Sequence, residues 1–306
     1  MPLQTLLPIF VYFLIGFLLR YRGFANRDQA DFLFRVVLYV TLPALVFLAI
    51  ADAELSHRTI LLPVAGITVN LVCAIAAIFY VRTMKLENHR AGAIVLGAGI
   101  TNMLFVFPFV LSVLGQAALA DAILFDLGNA VFVGTIAYSI SFYFGKSKAA
   151  SGASLLFKTI RAPIFVAVAA ALIVNTFHIS IPTFASEILS PLGAVTIPLV
   201  LIAIGISFST AGFSGRLPVV TILLRMLLGF ILGLLIVWAF GFAGATAAVI
   251  VVSAAAPIGF SSVTLASIGE LDTEQAAAAL SMSVAIGMIS TTLLLMVAVH
   301  WLGPGV

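Results

Sequence analysis

The sequence predicts an all-α polytopic membrane protein of ten transmembrane helices, arranged as two inverted repeats of five helices. Of the 306 residues, 63% are hydrophobic and only 8% are charged, whereas soluble domains carry about 25% charged residues. Ten apolar runs are long enough to cross a bilayer, and a set of prolines recurs at half the chain length. The chain has too few polar residues to cover a water-facing surface, so the lipid bilayer is its expected surroundings.

The ten apolar runs define the predicted spans. A run of about 20 apolar residues crosses the roughly 30 Å hydrocarbon core as a helix. In chain order the spans are Leu3 to Arg20, Asp31 to Ala51, Thr59 to Val81, Ala91 to Leu114, Asp121 to Phe144, Ile160 to Phe177, Ser186 to Ser209, Leu217 to Phe240, Gly244 to Ile268 and Gln275 to Trp301. The connections between them are short, so no separate soluble domain is expected.

Lysine and arginine fall on alternate sides of the predicted spans. Short cytoplasmic loops retain positive charge, and the basic residues follow spans one, three, five and seven, with only Arg58 on the opposite side. This pattern predicts a cell (inner) membrane protein with both termini outside. The net charge of +3 is spread among these loops instead of forming one patch, so no nucleic-acid partner is expected.

A repeat is visible at half the chain length. Three matches share an offset of 155 residues, namely PIFV at 8–11 and 163–166, Pro43 and Pro198, and Pro63 and Pro218. Residues 1–150 and 151–306 are therefore interpreted as two repeats within one integral membrane unit. Because five spans is an odd number, the second repeat crosses the membrane in the opposite sense. Inverted repeats of this kind suit alternating access.

Spans four and nine, which are equivalent in the two repeats, carry helix breakers and small polar residues near their middle. In the fourth span these are Thr101, Asn102 and Pro108, and in the ninth they are Pro257, Gly259, Ser261 and Ser262. Proline removes a backbone donor, while Asn and Ser can cap a helix that restarts beyond it. We expect two discontinuous, crossing helices whose restarted halves aim positive dipole ends at the midplane, which favours an anion.

Polar residues of spans five and ten are expected to face these breaks. Asp126 and Asn129 lie three residues apart and share one helical face. The counterpart of Asn129 in the second repeat is Ser283, at an offset of 154. Two interpretations of Asp126 stay open. One is ion coordination, and the other is a solvated carboxylate at the outer mouth or a cap for a neighbouring helix.

Arg225 lies inside the eighth predicted span, and its counterpart in the first repeat is Asn70. An intramembrane arginine is a functional-site hypothesis because hydrocarbon penalises an unpaired charge. One interpretation is a counter-charge for a carboxylate substrate. The other is a structural pair, or a side chain that extends to the cytoplasmic surface.

Five groups of short motifs follow one another along the chain. They are Leu7-Pro8-Ile9-Phe10 with Gly16-Phe17-Leu18, then Leu42-Pro43-Ala44-Leu45, the Asn102 to Pro108 segment followed by Gly115, Asp126-Leu127-Gly128-Asn129, and Ala256-Pro257. In order and spacing they resemble the auxin efflux carrier family, a group of bacterial, archaeal and plant membrane transporters. The resemblance covers nearly the whole chain.

The resemblance implies the fold shared with bile acid sodium symporters, in which the fourth and ninth helices cross and a mobile core moves against a scaffold. It implies small organic anions as substrates, such as auxin in plants and dicarboxylates in some bacterial members. By the motif match, Asn102, Pro108 and Pro257 carry over as crossover residues, with Asp126 and Asn129 as their neighbours.

The expected function is secondary active transport of a small carboxylate-bearing solute by alternating access. No enzyme activity and no cofactor are expected. Either Na⁺ or H⁺ is a candidate coupling ion, and a homodimer is left open. A sodium-coupled symporter of the bile acid type is one alternative, although the segment 254–262 lacks the acidic residue expected there. A membrane ligand sensor without turnover is another, and a flux assay separates it from a transporter.

Overall fold

The computed structural model describes residues 2–55, 57–146, 161–209 and 215–302. Within these ranges the chain is helical and forms no strand. Seven helical segments are long and apolar enough to cross a membrane, and two shorter apolar helices, Pro163–Thr176 and Gly244–Ala254, accompany them. An all-helical membrane protein is thereby confirmed, while the count of ten spans stays a prediction.

Fifteen α-helices follow one another in the described residues. They are α1 (Pro2–Tyr21), α2 (Arg27–Val36), α3 (Leu42–Ala51), α4 (Leu61–Thr83), α5 (Asn88–Gly99), α6 (Met103–Phe132), α7 (Tyr138–Phe144), α8 (Pro163–Thr176), α9 (Thr183–Ala194), α10 (Thr196–Ser207), α11 (Arg216–Ile222), α12 (Leu228–Phe240), α13 (Gly244–Ala254), α14 (Ser261–Ile268) and α15 (Thr273–Leu302). Single π-helical turns at Val37–Thr41, Val133–Ala137 and Leu223–Leu227 join α2 to α3, α6 to α7 and α11 to α12. Ile160, at the predicted start of span six, lies outside the described residues.

Helix α6 changes direction at Gly115. This residue has φ 83° and ψ −173°, a conformation outside the helical region that L side chains rarely adopt. The kink falls directly after Leu114, where the sequence predicted the end of the fourth span. The next predicted span therefore begins closer to Gln116 than to Asp121.

The described chain divides into two compact units, each assembled from distant segments. One comprises Met1–Ser56, Phe107–Ile123 and Lys158–Phe208, and the other comprises His57–Val106, Leu124–Phe157 and Ser209–Val306. Each unit draws on both halves of the chain. The division into repeats at residue 150 concerns sequence equivalence and stays a prediction.

The first unit is held together by close helix packing and by side chains that cap helix ends. The Arg20 guanidinium donates to the Ile206 carbonyl at 2.8 Å, which joins the ends of α1 and α10. The Asn175 amide of α8 donates to the carbonyls of Ile50, Ala51 and Ala53 at 3.1, 3.0 and 2.7 Å. These carbonyls lie at the C-terminal end of α3, where the backbone has no intrahelical donors left.

The second unit contains two breaks, one between α5 and α6 and one between α13 and α14. The buried Ser141 hydroxyl donates to the Leu265 carbonyl at 2.6 Å and ties α7 to α14. Arg90 and Asp272 form an ion pair at 3.8 Å beside the start of α15. Most of the buried polar side chains among the described residues belong to this unit, including Asn70, Asn129 and Arg225 beside the two breaks.

Candidate functional site

Two helices of the second unit are interrupted. Helix α5 ends at Gly99, the backbone is extended at Ile100 (φ −107°, ψ 123°), and α6 starts at Met103 after Asn102. Helix α13 ends at Ala254, and α14 starts at Ser261. Between these helices the N–H groups of residues 101, 102, 258 and 259 leave the helical hydrogen-bond pattern, so each needs another partner.

The two unwound segments pair with each other in an antiparallel arrangement. The Asn102 N–H donates to the Pro257 carbonyl and the Gly259 N–H donates to the Ile100 carbonyl, both at 2.9 Å. Thr101 and Ile258 form the β-bridge between them. We call residues 100–102 and 257–259 the crossing. Glycine is required at 259 because an added Cβ would lie 2.7 Å from the Thr101 carbonyl oxygen.

Three side chains accept hydrogen bonds from N–H groups at the two breaks. The Asn129 Oδ1 accepts the Thr101 N–H at 3.2 Å. The Ser283 hydroxyl accepts the Ile258 N–H at 3.1 Å. The Asn102 Oδ1 accepts the N–H of Phe105 at 3.2 Å and so caps the N-terminus of α6.

The carbonyls freed at the two breaks are bound by one arginine. With Asn102 and Ile258 bonded elsewhere, the carbonyls four residues earlier, Ala98 and Ala254, lose their helical partners. Arg225 Nη1 donates to the Ala98 carbonyl at 3.4 Å, and Nη2 donates to the Ala254 carbonyl at 2.6 Å. Arg225 is fully buried, with 0% of its surface exposed. The side chain therefore does not extend to the surface.

A continuous hydrogen-bond network leads from Arg225 to a carboxyl group. Its Nη1 also donates to Asn70 Oδ1 at 3.0 Å. The Asn70 amide donates to Asn129 Oδ1 at 2.9 Å, and the Asn129 amide donates to Asp126 Oδ1 at 2.7 Å. The Thr101 hydroxyl joins the network by donating to Asn70 Oδ1 at 2.6 Å. Buried networks of this kind rigidify a site when all members are satisfied.

Three buried polar atoms in this region have no hydrogen-bond partner within the described residues. They are Asn102 Nδ2, Arg225 Nε and Ser253 Oγ. Asn102 is only 3% exposed, and its amide is a donor at the start of α6. An unpaired buried donor is unfavourable by about 1–3 kcal/mol, so its presence beside the crossing points to a ligand that completes it.

Other residues predicted from the sequence lie around the crossing. Pro257 belongs to it, and the Ser262 hydroxyl donates to the Gly259 carbonyl at 2.7 Å. Ser261 is the first residue of α14 and is partly exposed, as is Asp126. Pro108 differs, because it lies inside α6 and belongs to the first unit. The interruption of the fourth predicted span is therefore at residues 100–102 and not at this proline.

Two glycines that support the site were missed by the sequence analysis. An added Cβ at Gly229 would overlap the Ala254 carbonyl oxygen and stand 2.9 Å from Arg225 Nη2. An added Cβ at Gly287 would overlap the ring of Pro257. Each glycine lies four residues after a side chain of the site, Arg225 or Ser283, and so on the same helical face. This spacing of four residues was the signal in the sequence by which the two glycines could have been found.

The described side chains offer few ligands for a metal ion. Among the described residues, no group of three or more His, Cys, Asp and Glu side chains lies close enough to hold a metal ion. The site consists of hydroxyl, amide and backbone groups with one arginine and one carboxyl. These groups are hydrogen-bond donors and acceptors.

Comparison with known proteins decides the family. Residues 2–295 match the family described as "Membrane transport protein". This chain belongs to the auxin efflux carrier family. Within this family of transporters, it is 24% identical over 296 residues to an uncharacterised transporter of Methanothermobacter thermautotrophicus, covering 95% of this chain and 96% of the relative.

Another relative of this chain is an uncharacterised transporter of Methanocaldococcus jannaschii. The two are 24% identical over 216 residues, which cover 68% of this chain and 69% of the relative. The family and its transporter relatives agree with the apolar helices, so the chain is an integral membrane transport protein and not an enzyme.

Proposed function

We propose that this protein is a secondary active transporter of a small carboxylate-bearing solute that works by alternating access, with the elevator-like movement that the family resemblance implies. The observation that carries the proposal is the crossing, where two interrupted helices meet and the buried Asn102 amide has a donor with no partner among the described residues. Interrupted helices of this kind form the substrate sites of many secondary transporters.

The charge distribution at the crossing favours an anionic solute. Helices α6 and α14 both begin there, at Met103 and Ser261, and helix N-termini carry a partial positive charge. No side chain caps the N-terminus of α14 within the described residues. A carboxylate is favoured by the partial positive charge of these helix ends and is suited to accept a hydrogen bond from the Asn102 amide.

Contacts between equivalent residues support ten spans built as two inverted repeats. Asn70 and Arg225, 155 residues apart, share a hydrogen bond. The Asn102 N–H bonds the carbonyl of Pro257, again at the repeat offset. Such self-pairing is expected where two inverted repeats meet at their pseudo-two-fold axis. The repeat counterparts Asn129 and Ser283 also play the same part, each accepting an N–H of the crossing.

The membrane placement follows from the same repeat and from the basic loops. We infer a cell membrane protein whose termini both lie outside, with the solute reaching the crossing past the partly exposed Asp126 and Ser261. A reporter fused after the C-terminal residue is expected to be accessible from outside. A cytoplasmic reporter would overturn this placement.

Flux measurements test the function directly. Purified protein in liposomes is expected to take up labelled mono- or dicarboxylates when a gradient is imposed, and Asn102→Ala is expected to slow uptake. Asn88→Ala serves as a matched control because Asn88 is exposed at the start of α5. If no organic anion moves under any ion gradient and Asn102→Ala changes binding of no ligand, the proposal fails.

The same assay separates the rival functions. A ligand sensor without turnover would bind an organic anion and yet move none across the membrane. A symporter of the bile acid type would take up anion only with Na⁺ present. Uptake that proceeds without Na⁺ excludes both rivals.

A further inference from the structure

Transporters with interrupted helices commonly hold Na⁺ with unwound backbone carbonyls and the C-terminal ends of half-helices. The equivalent places in this protein are the ends of α5 and α13, where the Ala98 and Ala254 carbonyls have lost their helical donors. Helix C-termini carry a partial negative charge and favour a cation. Whether Na⁺ fits this place therefore depends on which of these oxygens can still coordinate it.

Those oxygens already accept hydrogen bonds from the protein. Arg225 bonds the carbonyls of Ala98 and Ala254 and the side-chain oxygen of Asn70. At the crossing itself, further carbonyls are taken by the protein's own donors, namely Ile100 by the Gly259 N–H, Pro257 by the Asn102 N–H, Thr101 by the Asn129 amide and Gly259 by the Ser262 hydroxyl. A Na⁺ ion would have to compete with these donors for the same oxygens.

The charge of Arg225 also opposes a metal cation. A guanidinium remains protonated in proteins, and charges a few ångströms apart interact strongly away from water. A Na⁺ ion seated on the Ala98 or Ala254 carbonyl would lie directly beside the guanidinium. The residues present therefore do not fit Na⁺.

We propose that the Arg225 guanidinium is a tethered cation that takes the place of a bound Na⁺ between the ends of α5 and α13. It binds the backbone oxygens that an ion would coordinate, and it holds the two interrupted helices together. Ligand binding at the crossing therefore requires no Na⁺. Only this consequence for ligand binding rests on the proposed function, because the structural role of the guanidinium stands without it.

The surroundings of Arg225 are built around the guanidinium. Its backbone lies in the π-helical turn Leu223–Leu227, a distortion that is frequent at functional sites. Gly229 lies one turn later, where any Cβ would collide with the Ala254 carbonyl and crowd the guanidinium. The local sequence thus lets α12 approach the end of α13 closely enough for the side chain to reach both helices.

Thermal unfolding of the purified protein tests the proposal without any transport assay. The wild-type midpoint is expected to be the same in sodium chloride and choline chloride at equal ionic strength, since a ligand that binds only the folded state would raise it. Arg225→Ala is expected to lower the midpoint by roughly 5–10 °C. Millimolar ethylguanidinium chloride, which replaces the deleted atoms, is expected to restore much of that loss.

Arg225→Met is the matched control, because its side chain fills most of the same space without charge or donors. It is expected to be destabilised and not rescued by ethylguanidinium. A saturable increase of the wild-type midpoint with Na⁺ would overturn the proposal, and so would equal rescue of both variants. If neither variant folds, the wild-type titration decides alone. A protein that moves no anion but shows the expected midpoints contradicts only the proposed function.

Discussion

Asn70 and Arg225 are separated by 155 residues, and their side chains meet in a hydrogen bond of 3.0 Å, with both residues fully buried. The same Asn70 oxygen also accepts the Thr101 hydroxyl. Through this one atom the interruption between α5 and α6 is connected to the arginine. The stability of the crossing is therefore expected to depend on both side chains together.

A double-mutant cycle measures this dependence. Asn70→Ala leaves Arg225 Nη1, the Thr101 hydroxyl and Asn129 each with one partner fewer, and about 2–4 kcal/mol of unfolding free energy is expected to be lost. Arg225→Met removes both the charge and the donors while it fills most of the same space. Because both changes remove the same contact, the double variant is expected to be less destabilised than the sum, by about 0.5–3 kcal/mol. Additive losses in denaturant unfolding would contradict the network.

Substitutions at Asn102 separate its two roles. Asn102→Asp keeps an acceptor for the Phe105 N–H, so α6 stays capped, but it removes the amide donor and adds a negative charge. Anion binding is expected to weaken by at least about tenfold, which corresponds to about 1.4 kcal/mol, with little change in the unfolding midpoint. Calorimetric or thermal-shift titration checks both quantities. Unchanged anion affinity in a folded Asn102→Asp protein would exclude this residue from the ligand site.

Gly229 is expected to tolerate no larger residue. In Gly229→Ala the added methyl group overlaps the Ala254 carbonyl and approaches Arg225 Nη2, so α12 and α13 must separate. A loss of about 1–3 kcal/mol is expected from this overpacking. Leu235→Ala, at an exposed position of the same helix, is the control and is expected to be nearly neutral. Similar midpoints for both variants would show that the close approach is dispensable.

The Asn175 cap predicts a stability effect confined to the first unit. Asn175→Ala leaves three carbonyls at the end of α3 without their side-chain donor. The side chain is only half-buried, so water replaces part of the interaction, and a loss of about 1–2 kcal/mol is expected. Ligand affinity is expected to be unaffected, since the crossing lies in the other unit. A large change in affinity would contradict that separation.

The sequence was most informative where a single property decides the outcome. Composition and run length were enough to predict a helical membrane protein, and the motif order led to the family that the comparison confirmed. Pro257 does lie in an interruption. It has no N–H, so it cannot donate to the carbonyl four residues earlier as a helical residue would. Pro108 was a weaker guide, since α6 accommodates it as an interior residue. In that span the cap residue Asn102 marks the restart better than the proline.

Contacts that depend on tertiary geometry could not be predicted from the sequence. The repeat offset paired Asn70 with Arg225 as counterparts but gave no reason to expect a hydrogen bond between them. Whether the arginine faced a substrate, the surface or the backbone depends on the approach of α5 and α13, which local patterns do not encode. Gly229 and Gly287 had a detectable spacing from Arg225 and Ser283, yet glycine is common in membrane helices and the spacing alone carries little information.

The most direct test of the central claim is saturable uptake of a labelled organic anion into liposomes that contain the wild-type protein or Asn102→Asp at equal amounts. The account predicts uptake by the wild-type protein that saturates with anion concentration and proceeds equally in sodium and choline salts, and a loss of about tenfold or more in Asn102→Asp. Equal uptake by both proteins would contradict the assignment of the crossing as the site at which the transported anion binds.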